Sequence, residues 1–142
     1  MSAIHQELVF PVAPELVYEA LTNAERFSEF SGAPTDMSTE AGASFSCFGG
    51  MILGRNIELI PNQRVVQAWR AKPWESGVYS IAKFELRPEG SGTRIIFDHA
   101  GFPPDQREHL EGGWHANYWE PLRKHFRQTA GAESALRHGQ SS

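Results

Sequence analysis

The sequence predicts an α+β fold: a curved antiparallel sheet of six or seven strands wrapped around one long C-terminal helix, with two short helices after the first strand. Three observations predict it. Six runs with strand character follow one another between Thr35 and Ala100, each separated from the next by turn-forming residues. Helical periodicity occurs twice in quick succession before those runs and once, at length, after them. The last helical segment carries an apolar stripe too rich in aromatics to face water, so it must lie against the sheet.

Ile4 to Phe10 alternates, with Ile4, Leu8 and Phe10 on one side and His5 and Glu7 on the other, the pattern of a half-buried strand that Pro11 ends. Pro14 sits in the first turn of a helix whose inner face is Leu16, Val17, Ala20 and Leu21. A second helical piece runs from Ala24 to Phe30, with Phe27 and Phe30 three apart, and halts at Ser31-Gly32 and Pro34. The strands predicted next are Thr35 to Glu40, Ser44 to Phe48, Ile52 to Ile60, Arg64 to Lys72, Val78 to Arg87 and Thr93 to Ala100. Short connections between them, such as Gly49-Gly50 and Pro61-Asn62, imply sequential antiparallel pairing. In the fifth of these runs Val78, Ala82, Phe84 and Leu86 share one face, against Tyr79, Lys83, Glu85 and Arg87 on the wet one.

Pro103-Pro104-Asp105 opens the final helix, with Asp105 and Glu108 placed where the helix dipole favours negative charge. Leu110, Trp114, Tyr118, Leu122 and Phe126 recur every fourth residue, flanked by Trp119. Burying the four from Trp114 to Phe126 would stabilise the fold by roughly 6 to 12 kcal/mol as an upper bound. Gly112-Gly113 is expected to allow close backbone approach, and Pro121, lacking an N–H, to bend the helix around a curved surface.

With 142 residues, 40% hydrophobic and 21% charged, the chain is expected to form a single domain over residues 1–130, followed by a small-residue, polar and frayed tail over 131–142. Nine Phe, four Trp and three Tyr are more than packing alone asks for. A net charge of -4 and the absence of any Lys/Arg block argue against nucleic acid as a partner. No uncharged apolar run approaches the roughly 18 residues of a membrane-spanning helix. The single Cys47 and a start without the layout of a signal peptide predict a cytoplasmic chain.

The order of elements resembles the helix-grip architecture shared by lipid-transfer START domains and the major birch-pollen allergen, the SRPBCC superfamily. Asn56-Ile57-Glu58-Leu59-Ile60-Pro61-Asn62-Gln63-Arg64-Val65-Val66-Gln67-Ala68-Trp69-Arg70 resembles the signature of the activator of heat-shock-protein-90 ATPase homologue family. Trp74-Glu75-Ser76-Gly77 resembles that family's tryptophan-and-glycine hairpin, and Gly113-Trp114 followed by Tyr118-Trp119 the opening of its last helix. The likeness runs from about Glu7 to Phe126 and is to the C-terminal-domain type of the family. It implies a cavity between helix and sheet, which in relatives holds lipids, polyketides, hormones or nothing identified, and a possible link to a heat-shock chaperone.

Candidate site chemistry is sparse. Asp98-His99 invites a general base with its orienter, but neighbouring strand residues point to opposite faces, so His99 reads better as a polar residue of the cavity. His109, His115 and His125 are spaced by six and ten, not the four that brings two metal ligands together on a helix. Cys47, in a strand with Phe45 and Phe48 nearby, reads as a small buried hydrophobe. Arg55 and Arg70 are expected to point to water. No nucleophile elbow, phosphate loop or dinucleotide fingerprint is present, so no cofactor and no metal is expected and an enzyme is disfavoured.

The expected cavity lining is Phe45, Cys47, Trp69, Phe84, Phe97, His99, Trp114 and Tyr118, around a small apolar or amphipathic ligand. The first alternative is a protein-interaction module that stimulates a heat-shock ATPase. The second is a polyketide-cyclase-like enzyme using His99 and Tyr118. Either a monomer or a homodimer fits the sequence.

Overall fold

The structure, a computed structural model, describes residues 3–38 and 40–127. The chain runs β1 (Ala3–Phe10), α1 (Pro14–Thr22), α2 (Ala24–Ser31), β2 (Ser44–Cys47), β3 (Ile52–Ile60), β4 (Arg64–Ala71), β5 (Ser80–Glu89), β6 (Gly92–Ala100) and then α3, which begins as Arg107–Trp114. The tail expected over 131–142 lies outside the described residues.

The strands form one open, curved antiparallel sheet of six in the order β1-β6-β5-β4-β3-β2. Neighbours in sequence pair directly, and β1 closes against β6 from Ala3↔Ala100 to Phe10↔Thr93. Alternation places Ile4 and Phe10 of β1, Ile95 and Phe97 of β6, Phe84 and Leu86 of β5 and Val65 and Trp69 of β4 in the core. One buried side chain of β4 and one of β3 are polar amides. Gln67 Nε2 donates to Asn56 Oδ1 at 3.3 Å, and Asn56 Nδ2 donates to the Ser38 carbonyl at 3.0 Å, so each amide is used internally. A register shift between Asn56 and Glu58 marks a bulge in β3.

Among the described residues of the run Thr35 to Glu40, expected as a seventh strand, no strand forms. Only Asp36 bridges to Ser46, through two backbone hydrogen bonds of 2.7 Å. Met37 is its sole apolar side chain, so the segment has no hydrophobic face with which to hold a longer ladder. α1 opens at Pro14 and lays Val17 and Leu21 against β4 and β5. Asn23 caps α2 by accepting from the Arg26 N–H at 3.0 Å, and Gly32 ends it at φ 69°.

The last helix is preceded by a short 3-10 turn, Pro104–Gln106. α3 then passes through a π turn, His115–Trp119, and continues as helix over 120–127. In that turn the Glu120 N–H reaches back to the His115 carbonyl. Pro121, with no N–H to offer, follows at once, which explains why the ladder loosens here. The extra residue in the turn lets two consecutive side chains, Tyr118 and Trp119, both face the core. Leu110, Trp114, Leu122 and Phe126 complete the buried stripe. Close approach at Gly112 and Gly113 is not found: a Cβ on Gly112 would meet nothing within 4 Å, and one on Gly113 only Asn117 Nδ2 at 3.7 Å.

Candidate functional site

Between α3 and the free end of the β3–β4 hairpin the sheet and helix part, leaving a recess of about 310 Å³. Trp69, Trp114, Tyr118 and Leu110 are its buried floor, and Phe48, Met51, Pro73, Gln106, His109 and Asn117 surround its mouth. Gly113 contributes a bare stretch of helix wall. The mouth is shaped by the turn that follows β2. Phe48 (φ 53°), Gly49 (φ 65°) and Gly50 (φ 90°) are three consecutive residues in the left-handed region, costly at Phe48 because it carries a side chain. Partial burial of that ring offsets the strain, since it packs edge-on against Phe27 at 5.5 Å and Tyr118 at 5.4 Å.

Behind the floor lies a polar chain. The Trp114 Nε1–H donates to His99 Nδ1 at 3.0 Å, and since an indole nitrogen can only donate, Nδ1 must accept and Nε2 carries the ring proton. His99 Nε2 in turn donates to Ser80 Oγ at 2.7 Å, and Ser80 donates to the Trp69 carbonyl at 2.9 Å. Every group in this chain is satisfied. Burial pulls the His99 pKa down to about 4, so the ring is neutral near pH 7. Asp98 points outward instead, to His5 Nδ1 at 2.7 Å.

The Tyr118 hydroxyl interacts with the Cys47 thiol. Burial holds the phenol well above its ordinary pKa and pushes the thiol up to about 12. Neither is an available base or nucleophile. The indole N–H groups of Trp69 and Trp74 are also buried; that of Trp69 interacts with the Tyr118 hydroxyl outside full hydrogen-bond geometry, and that of Trp74 has no acceptor among the described residues. No cluster of three or more His, Cys, Asp or Glu among the described residues could hold a metal ion, and no described helix is long and apolar enough to cross a membrane.

Residues 11–127 match the family model described as Activator of Hsp90 ATPase homolog 1-like protein. The chain belongs to this family. It is 27% identical over 128 residues to the activator of 90 kDa heat shock protein ATPase homolog 2 of Mus musculus, covering 90% of this chain and 39% of that protein. It therefore spans well under half the length of the curated relatives it matches. Among solved structures, an HSP90 activator from Plasmodium falciparum superposes with a TM-score of 0.81 at 23% identity, covering 86% of this chain and 94% of that one. The Aha1 dimer of Colwellia psychrerythraea superposes with a TM-score of 0.76 at 21% identity, covering 89% and 96%. At these identities the likeness is one of fold.

Within this Hsp90-activator-type frame, the eight expected cavity residues part company. Trp69, Trp114 and Tyr118 line the recess. Phe84 and Phe97, with rings 5.0 Å apart, fill the interior beneath, the Phe97 ring lying tilted 4.3 Å from that of Trp114. His99 and Cys47 sit behind the floor, linked to it through Trp114 and Tyr118. Phe45 packs across Gly54, away from the recess. Mouth residues Phe48, Met51, Gln106, His109 and Asn117 were not among those expected: Phe48-Gly49-Gly50 reads only as turn punctuation, and the polar helix residues read as a solvated face. The one available signal was Gly113, bare in the midst of an aromatic stripe. Arg55 donates to the Gly42 carbonyl, and Arg70 donates to the Trp74 and Glu75 carbonyls beside the Tyr79 ring, both outside the recess.

Proposed function

We propose that this protein is a non-enzymatic binding domain that holds a small apolar molecule in the recess under α3. The supporting observation is the recess itself: an aromatic floor with a few polar groups around its mouth, at the lower end of the roughly 300 to 1,000 Å³ of small-molecule sites. His99 spends both ring nitrogens inside the fold, which favours binding over acid–base chemistry. The test is displacement of an environment-sensitive hydrophobic dye, with native mass spectrometry of gently purified protein. Wild type should bind dye, and Gly113→Leu, which places a side chain in the recess wall, should weaken that binding about tenfold without loss of helix. A dye-silent wild type with the mass of the bare chain overturns the reading.

A second reading is that the domain, in the cytoplasm, engages a heat-shock chaperone. It is favoured by family membership and by relatives named as activators of the 90 kDa heat shock protein ATPase. Mixing it with an Hsp90-class ATPase should raise turnover, and unchanged turnover without complex formation rejects it. The Colwellia relative named as a dimer makes a homodimer a reasonable expectation for this chain, read by sedimentation.

A further inference from the structure

We infer that the outer face of the sheet, at the end where Tyr79 and Ile81 stand exposed, docks an acidic segment of a partner protein that carries an apolar side chain. The recess under α3 plays no part in this contact.

Strand register builds the patch. Ala3 pairs with Ala100, Ala100 with Ile81, Ile81 with Ala68 and Ala68 with Arg55. On the face turned away from α3, an apolar row therefore crosses four strands, roughly 14 Å. Leu53, opposite Arg70, extends it, and Tyr79 is two residues from Ile81. Tyr79 is 51% and Ile81 45% exposed, so neither is a core residue. Apolar side chains gathered on one exposed face, rather than scattered singly, mark a contact surface.

Charge says what covers it. Arg64, Lys83, Arg87 and Arg94, the other Arg and Lys residues of the strands, each hold a carboxylate. Arg55 and Arg70 hold none among the described residues, although Asp36 borders the same groove as Arg55. Both are nevertheless fixed in place. Arg55 donates to the Gly42 carbonyl at 2.6 Å, and Arg70 to the Trp74 and Glu75 carbonyls at 2.7 and 3.1 Å, its guanidinium 5.6 Å from the centre of the Tyr79 ring. A guanidinium has five N–H donors, so each keeps several for a carboxylate. The two are diagonal neighbours across β3 and β4, bracketing Leu53 and Ala68.

Two fixed cations about an apolar row complement carboxylates set about an aromatic or branched side chain. A second copy of this chain fits poorly, since a two-fold pairing of the patch would gather four guanidinium groups in one interface. A phosphate chain fits poorly too, because the adjoining row holds Asp98 and Glu58 and the net charge is -4.

The test is an amide NMR titration of the full chain with blocked hexapeptides. One has Phe-Leu between two pairs of acidic residues; a second replaces the acids by Asn and Gln; a third keeps the acids and replaces Phe-Leu by Ser-Ser. The acidic Phe-Leu peptide should shift the amides of Arg55, Ala68, Arg70, Tyr79 and Ile81. It should bind about tenfold tighter than the amide peptide, the size of one charge-assisted hydrogen bond, and tighter than the serine peptide. The double variant Arg55→Glu with Arg70→Glu should lose the acidic peptide and bind a lysine counterpart in its place. Equal binding of the amide or of the serine peptide overturns the inference. So do tighter binding of oligothymidylate, shifts confined to the basic end of α3 at Arg123 and Arg127, and an absence of shifts at millimolar peptide. The wild-type comparisons need no variant, so they decide even if the double variant folds poorly, and none of these outcomes bears on the recess.

Discussion

His99 is held neutral by its surroundings, and the consequence has a sign. Its pKa falls from 6.5 in the open chain to about 4 when folded, so the unfolded state binds the extra proton first. The stability contributed by the neutral ring is complete above pH 6.5 and drains away as pH falls toward 4, by on the order of 3 kcal/mol. Proton NMR of the imidazole should show it still neutral at pH 5, and titration near pH 6.5 would contradict the burial argument. Ser80→Ala should destabilise by about 1–3 kcal/mol in urea unfolding, because it strands both the His99 Nε2–H and the Trp69 carbonyl. His5 behaves oppositely at the surface: its hydrogen bonds to Asp98 and then Glu7 raise its pKa, so its contribution is present at low pH and lost as pH rises through that raised value.

At the scale of elements, glycines divide into those the packing requires and those it does not. A Cβ on Gly54 of β3 would stand 2.1 Å from the Ala68 carbonyl oxygen and 2.5 Å from the Phe45 ring, so Gly54→Ala should cost several kcal/mol or prevent folding. Gly112→Ala should instead raise the midpoint of thermal unfolding, by about 0.5–1 kcal/mol of helix preference, because nothing lies within 4 Å. Thermal melts of the two variants check both. This contrast also marks what the sequence could convey. Strand and helix positions were legible because alternation and four-residue spacing are local properties, as the inward set Val65, Phe84 and Phe97 shows. The run Thr35–Glu40 offers two β-favouring Thr residues but no apolar face. How closely a glycine is approached depends on a neighbouring strand, which no local pattern records.

For the whole molecule, the aromatic interior links every layer. Trp114 touches β4 through Trp69, β5 through Phe84 and β6 through Phe97, while Tyr118 reaches α2 through Phe27. With all four tryptophans buried in or beside this cluster, tryptophan fluorescence and far-UV circular dichroism should report one coincident unfolding transition. Two separated midpoints would show that the described residues do not fold as one unit. Of the candidate site, the floor was legible and the mouth was not: aromatic periodicity names the residues that descend on the sheet, but not how far along it the helix stays in contact.

The left-handed turn at Phe48–Gly50 has an evolutionary corollary. It contributes Phe48 to the rim while standing outside the strand ladder, so its length and residues can vary with little effect on the pairing of β3 with β4. Related chains could thereby reshape the mouth of the recess through changes in one short connection, leaving the scaffold untouched.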